Sequence, residues 1–504
     1  MATGSMKSRV GLIVVPLIAL GLLVFGDLDP ERPEVTRMAA VAVLMAGWWV
    51  TEAIPIPATA LLPVALFPLL GILAGKQTAA IYFNQIIFLF IGGFIFALAM
   101  QRWDLHRRIA VRIVLMLGTS PRRMVLGFMA ATWFLSMWIS NTASTMMMVP
   151  MALAIVLKFR ERNGNVALGR FSVGLLLGVA YSASIGGLAT LIGTPPNLSL
   201  ARILEIVFPQ APSLSFAGWF FFALPLSAVF LVIAWWLLCK LFLRGVAFSG
   251  GHDDFKREHD EMGPMSFEQR AVGALFIVLV FAWMFRADID LFGVTVPGWS
   301  GLFPRASFID DGTVAITIAL LLFLIPSREQ RGQRLMDWET TAGVPWGIVL
   351  LFGGGFALAS GFKESGLSEW LGVQLSAMEG APPLLLVVAT CALLTFLTEL
   401  TSNTATTEMA LPVLASLAVA IETDPLMLMV PATLSASCAF MLPVATAPNA
   451  IVFGTGEVRM ADMMRGGILL NLIGIVLITA AVYLLGTTVL GIDPGTVPAW
   501  AQPH

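Results

Sequence analysis

The triplet Ser-Asn-Thr occurs twice in this chain, at Ser140-Asn141-Thr142 and Ser402-Asn403-Thr404, each time inside a long apolar stretch. The surroundings repeat with it. Gly92-Gly93-Phe94 precedes the first copy and Gly354-Gly355-Phe356 the second, at one spacing of 49 residues from the first glycine of the motif to the asparagine (141 − 92 = 403 − 354). A proline-asparagine element follows each copy, Thr194-Pro195-Pro196-Asn197 and Thr446-Ala447-Pro448-Asn449. Ordered doublets of polar loop signals in a hydrophobic chain imply two structural repeats. In membranes that arrangement belongs to proteins whose binding site lies between the repeats.

The solvent this chain needs follows from its composition. Of 504 residues 58% are apolar and only 12% charged, with a mean hydropathy of +0.87. Soluble domains carry about 25% charge, so the reading is an all-α polytopic membrane protein. The apolar runs are continuous, not alternating, which disfavours a β-barrel. A net charge of −2 gives no basis for a nucleic-acid partner. Cys239, Cys391 and Cys438 lie in apolar runs without metal-ligand spacing and read as small buried hydrophobes. No His-Glu-x-x-His, P-loop or Gly-x-Ser-x-Gly is present, so the chain does not read as an enzyme. Met1–Ser5 reads as an expression scar ahead of Met6, with no cleavable signal peptide.

Apolar segments near 10–26, 38–53, 57–73, 85–101, 171–210 (broken), 217–239, 267–286, 313–326, 346–362, 427–460 (broken) and 464–488 predict about eleven transmembrane helices. Two segments fit no crossing, and they hold the triplets. Between Arg123 and Lys158 the chain carries no charge. One helix of that length runs about 51 Å, too long for a core of about 30 Å and too short for two spans. The economical solution is a re-entrant hairpin, two half-length helices meeting at Ser140–Thr145. A second such hairpin runs from about Pro383 to Ile421. Arg102, Arg107, Arg108, Arg112, Arg122 and Arg123 precede the first hairpin, and Lys158, Arg160, Arg162 and Arg170 follow it. A hairpin keeps both clusters on the cytoplasmic side, where Lys7 and Arg9 also put the N-terminus of a multi-pass inner (plasma) membrane protein.

Five crossings plus one hairpin per repeat turn the second repeat upside down. The offset between repeats is 262 at the triplets (403 − 141) and 252 at the proline elements (449 − 197), so the first repeat is about ten residues longer. The loop Glu161–Gly169 is the expected place for them. Residues 103–118 read as an amphipathic surface helix, 245–265 as a polar, solvated linker, and 287–311 as a second loop with short structure.

At a hairpin tip one helix ends and another begins. Free carbonyls suit a cation there, and free N–H groups at a positive dipole end suit an anion. The proline elements break a span and free further carbonyls from the facing wall. Glu52, Glu399 and Glu408 are intramembrane carboxylates, each open to a functional or a purely structural reading. Met146-Met147-Met148 reads as packing.

With Trp49-Val50-Thr51-Glu52-Ala53-Ile54-Pro55, both triplets and both proline elements in order, the chain resembles the divalent anion/Na+ symporter family, which includes bacterial dicarboxylate and animal citrate carriers. The resemblance covers most of the chain. It implies a homodimer in the lipid membrane whose protomers each have a fixed scaffold and a transport domain that slides like an elevator. On that plan 1–9 is a tail, 10–101 scaffold, 102–121 a surface helix and 122–243 the first part of the transport domain. Then 244–266 is the inter-repeat loop, 267–362 scaffold, 363–381 a surface helix, 382–488 the second transport part and 489–504 a tail. By the same resemblance one Na+ binds at Ser136, Ser140, Asn141 and Gly193, and another at Thr398, Thr401, Asn403 and Ala445. The substrate, a di- or tricarboxylate such as succinate, malate or fumarate, meets Asn141, Thr142, Thr194, Asn403, Thr404, Thr446 and Ala447. Dicarboxylate members usually carry proline where this chain has Ala447, which opens the choice to a dicarboxylate of another size, a tricarboxylate or a sulfur oxyanion.

Na+-coupled import is the expected function, with Na+ offsetting the charge of an anion that meets no basic side chain. Carboxylate exchange without net Na+ flux, and a channel or an oxyanion or proton exporter of related architecture, are the competing readings. An intramembrane enzyme would need a nucleophile–base pair or metal ligands within the spans, and none is visible.

Overall fold

The computed structural model describes residues 6–118, 120–163, 166–244, 252–291, 294–375 and 380–502. It is almost wholly helical. Helices α1 (Met6–Phe25) and α2 (Pro33–Thr51) pack as a pair, and α2 ends on Glu52, whose φ of 49° turns the chain left-handed. The span expected at 57–73 is broken instead into α3 (Ile56–Thr59) and α4 (Leu62–Leu70). Pro55, Pro57, Pro63 and Pro68 each remove a backbone donor, so no long helix can propagate there. A short α5 (Gly75–Ile81) leads to α6 (Gln85–Arg102), capped by the Asn84 side chain accepting from the Ile86 N–H at 3.0 Å. The amphipathic α7 (Leu105–Leu117) lies where a surface helix is expected and turns Leu105, Ala110, Val111 and Val114 inward.

Both triplets sit between paired helices. The first lies between α8 (Pro121–Ser136) and α9 (Asn141–Asn163). The leading arm α8 has 16 residues, about 24 Å and short of a bilayer core. The returning arm α9 has 23 residues and is longer than a half-length helix, because it continues through Lys158 into the charged stretch. A broken span follows as α10 (Val166–Gly187) and α11 (Pro195–Val207). The expected loop Glu161–Gly169 is therefore largely helical, with only 164–165 outside the described residues. In the second half the same order appears as α19 (Pro383–Thr398), α20 (Asn403–Ala420), α21 (Leu426–Ala436) and α22 (Ala447–Gly454). The extra length of the first half goes into helix, since α9 and α10 have 23 and 22 residues against 18 and 11 in α20 and α21.

Between these blocks run α12 (Phe216–Phe242), α13 (His252–Glu261), α14 (Phe267–Met284), α15 (Asp311–Leu324), α16 (Trp338–Thr341), α17 (Trp346–Glu364) and α18 (Leu367–Leu375), and α23 (Met460–Ala481) follows α22 and runs on through a π-helical turn into a short helix, Thr487–Val489. Two expectations change here. The linker holds the helix α13 against α7, and the Arg108 guanidinium donates to the Met262 and Gly263 carbonyls at 2.8 and 2.7 Å; 245–251 lie outside the described residues. The all-α reading gives way locally to a two-stranded antiparallel ribbon, β1 (Ile289–Leu291) with β2 (Val294–Val296). Among the described residues seven helices are long and apolar enough to cross a membrane.

Close packing explains the repeated Gly-Gly-Phe. A Cβ on Gly92 would lie 2.6 Å from the Ala315 Cβ, and one on Gly354 would lie 2.7 Å from that of Ala60. Helix α6 thus presses on α15 and α17 on α3, and each contact joins the first half of the chain to the second. Arg102 adds an ion pair to Asp337 across the same boundary. The Thr340 N–H and hydroxyl, with that guanidinium, hold the Asp337 carboxyl below its usual range.

Candidate functional site

One cavity of about 350 Å³ joins both halves of the chain. Ser140, Asn141 and Thr142 line it from the first tip, and Thr401, Ser402, Asn403 and Thr404 from the second. The facing walls are the two span breaks, Gly193, Thr194 and Pro195 against Ala445, Thr446, Ala447 and Pro448. Of the residues expected at a site, Ser136 and Thr398 alone do not line the cavity. They stand behind it, fully buried. Ser136 Oγ donates to Asn141 Oδ1 at 2.6 Å, and Thr398 Oγ1 lies 2.7 Å from Asn403 Oδ1 and 2.8 Å from the Ala436 carbonyl.

The bonds that shape the two tips match position by position. Thr145 Oγ1 donates to the Asn141 carbonyl at 2.8 Å, and Thr407 Oγ1, 262 residues on (407 − 145), donates to that of Asn403 at 2.9 Å. The breaks match at an offset of 252. Asn197 Nδ2 donates to the Thr190 and Gly187 carbonyls at 2.8 and 3.2 Å; Asn449 Nδ2 donates to those of Leu442 and Ala439 at 3.0 and 3.1 Å. Each asparagine supplies donors to backbone carbonyls exposed where the preceding helix ends at the break.

Four helices start at this cavity: α9 at Asn141, α20 at Asn403, α11 after Thr194 and α22 after Thr446. Their first-turn N–H groups and positive dipole ends converge on it. Among the described residues no Lys, Arg or His lines it, and the only ionisable lining side chain is Glu52. Uncharged donors aimed inward suit an anion. Hydroxyl, amide and carbonyl oxygens suit a hard monovalent cation. Gly187 lets two such oxygens approach its backbone beside the first tip: a Cβ there would fall 2.7 Å from Asn141 Oδ1 and 3.1 Å from the Gly193 carbonyl oxygen.

Sequence reasoning missed several lining residues. Phe90 and Phe94 of α6 and Ile348 of α17 close the cavity's sides. The Gly-Gly-Phe motif was the available signal for Phe94, yet its counterpart Phe356 is buried elsewhere. The two carboxylates that flank the second tip part ways. Glu399 accepts the Phe440 and Met441 N–H groups and Asn471 Nδ2 on Oε1, at 2.8, 2.9 and 2.8 Å, and the Leu442 N–H on Oε2 at 3.0 Å. It is an anchor for the backbone of the second span break.

The fold and the cavity define a multi-pass helical membrane protein with a polar chamber between its halves, lined by no basic side chain among the described residues. The chain belongs to the family described as the sodium:sulfate symporter transmembrane region, whose model matches residues 6–492. It is 44% identical over 496 residues to a protein of Staphylococcus saprophyticus named sodium-dependent dicarboxylate transporter SdcS, covering 96% of this chain and 92% of the relative. A Staphylococcus aureus protein of the same name is 43% identical over the same shares. In fold the chain is similar to MtrF of Neisseria gonorrhoeae, described among antimetabolite efflux pumps, with a TM-score of 0.60, 12% identity and 92% and 97% of the two chains covered. It is also similar to the YdaH transporter of Alcanivorax borkumensis, with a TM-score of 0.58, 14% identity and 89% and 99% covered.

Proposed function

We propose that this protein is a Na+-coupled symporter that imports di- or tricarboxylate anions of the succinate, malate and fumarate type across the plasma membrane. The observation that carries the reading is the convergence of four helix N-termini on a cavity without a basic side chain. A dianion there gains from the dipole ends but still needs cations nearby, and the oxygens of Ser136, Ser140, Asn141 and Gly193 and of Thr398, Thr401, Asn403 and Ala445 are the ones we assign to two Na+ ions. Asn141, Thr142, Thr194, Asn403, Thr404 and Thr446 would receive the carboxylates. Ordering of the tips by Na+ then raises the affinity for the anion, and by linkage the anion raises that for Na+. The names of the staphylococcal relatives, sodium-dependent dicarboxylate transporters, support Na+ coupling and a dicarboxylate substrate.

Its mechanism, in this reading, is an elevator. Matching bonds at offsets of 262 and 252 support two repeats, and an odd number of crossings in each would invert the second. The hairpins and broken spans would move together past α6, α15 and α17 in a homodimer with a cytoplasmic N-terminus. Proteoliposomes test the function. Fumarate uptake is expected to rise at least about tenfold, a coupling near 1.4 kcal/mol, when an inward Na+ gradient replaces choline. Uptake that ignores Na+ but needs internal carboxylate would establish exchange instead.

Substrate choice has its own test at Ala447. This residue opens α22 as Pro195 opens α11, at the first helical position, where proline is tolerated because its N–H has no partner within the helix. Thr446 before it is already extended, with φ −142° and ψ 151°. Ala447→Pro is therefore expected to fold normally and to narrow the range of anions transported, lowering uptake of the larger ones about tenfold or more, as loss of about a methylene's room does. An unchanged profile across succinate, citrate and sulfate would take Ala447 out of the pocket.

A further inference from the structure

Glu408 lies on α20, one and a half turns beyond Asn403, with none of its surface exposed. Its Oε1 accepts a hydrogen bond from the Ser199 hydroxyl of α11, and its Oε2 is buried without a partner. The third wall is α17. A Cβ on Gly355 would fall 1.9 Å from Oε2 and 2.2 Å from the carboxyl carbon, so the missing side chain of Gly355 is what admits the carboxyl group.

No cation answers it. Of the helices packed on α20, α11 carries Arg202 and Glu205, which pair with each other at 2.9 Å. Helix α17 carries Lys363, whose ammonium group donates to the Ile206 carbonyl at 2.9 Å, and Glu364, both two turns or more beyond Gly355. Helix α2 carries Glu34 and Arg37, 4.0 Å apart, and α18 carries Glu369, paired with Arg32. Helices α19 and α21 bring only Glu399, beyond the end of α19 and held by four donors. Glu408 has no ion-pair partner among the described residues.

Packing alone does not ask for a carboxyl group at this position. The repeat offsets of 262 and 252 carry Glu408 to Met146 (408 − 262) and Ser199 to Ile451 (199 + 252). The offsets thus map the pair of buried acid and single donor, which joins α20 to α11, onto two apolar side chains of α9 and α22, helices that also pack on each other. An ionised carboxylate with one hydroxyl donor and no counter-charge is expensive in such a place, and a protonated one is not.

We propose that Glu408 is a proton-binding site in the contact of α17 with α11 and α20, and that this contact closes only with the proton bound. In the elevator reading α17 is scaffold while Ser199 and Glu408 ride on the moving part, so opening the contact would release the proton. That consequence rests on the elevator reading; the proton site does not.

The test is thermal melting of the purified full chain in detergent with Na+ and no carboxylate, from about pH 6 to about pH 9, the range in which buried glutamates titrate. A folded state that keeps the proton longer than the unfolded state loses stability as pH rises. The wild-type melting temperature is expected to fall by roughly 2–4 °C across that range, whereas Glu408→Gln stays level. Ser199→Ala, which removes the one donor to the carboxylate, is expected to extend the wild-type decline to higher pH instead of lowering the whole curve. Should the glutamine variant fail to accumulate, Glu408→Met, the residue of the other repeat, takes its place. Parallel declines in wild type and variant overturn the proposal, and so does a level wild-type curve. Neither result depends on transport, so loss of the Na+-coupled reading would leave this test intact.

Discussion

Replacing Asn141 or Asn403 with alanine is expected to cut Na+-driven fumarate uptake at least about a hundredfold while the protein still elutes as the wild type in gel filtration. Each asparagine opens the returning arm of its tip, and its Oδ1 holds the hydroxyl of Ser136 or Thr398 on the leading arm. Alanine removes that bond and a cavity-lining amide; at Asn141 it leaves the buried Ser136 hydroxyl without its partner, whereas at Asn403 the Thr398 hydroxyl keeps the Ala436 carbonyl. Two such losses at about 1.5 kcal/mol each already amount to a factor above a hundred. The fold itself is anchored elsewhere, by the carbonyl of the same residue, which still accepts from Thr145 or Thr407. Uptake and its Na+ dependence in proteoliposomes measure the effect. Near-normal transport by both variants would remove the tips from the site.

Much of this architecture was legible because membranes make length informative. The uncharged stretch holding the first triplet matches neither one span nor two, and the structure resolves the mismatch with a 16-residue leading arm at each triplet. The span breaks were legible from Thr194-Pro195-Pro196-Asn197 and Thr446-Ala447-Pro448-Asn449, since proline forbids the bonds that a continuous helix needs. Illegible parts depend on partners distant in sequence. The charged α13 has no apolar face to announce it; α7 and Arg108 hold it in place. Pro55, Pro57, Pro63 and Pro68 marked the break between α3 and α4, but the apolar run around them read as one span. Gly187 beside Asn141 is invisible without coordinates, since nothing local distinguishes it from Gly186. Glu399 and Glu408 look alike as acids flanking one tip, and only their neighbours separate an anchor from a carboxyl group left without a cation.

That anchor carries the largest expected effect on stability. Glu399 ends the leading arm of the second tip and accepts from three consecutive backbone N–H groups, Phe440 to Leu442, as well as from Asn471 of α23. The backbone there has left α21 and has not yet begun α22, so these donors have no helix to bond within. Glu399→Ala leaves four donors without an acceptor in a buried region, each at about 1–3 kcal/mol. A loss on the order of 4 kcal/mol or more is expected, enough to consume much of the stability of an ordinary fold. It should appear as a lowered melting temperature in detergent and as poor accumulation in the membrane. Glu399→Gln keeps the shape and one acceptor oxygen but turns an amide N–H toward the remaining donors. It should fall between alanine and the wild type, and raise the Na+ concentration needed for half-maximal uptake, because Ala445 lies three residues beyond the anchored turn. A glutamine variant as stable as the wild type would mean that one oxygen suffices, and an alanine variant of wild-type stability would show that the three N–H groups find other acceptors when the carboxylate is gone.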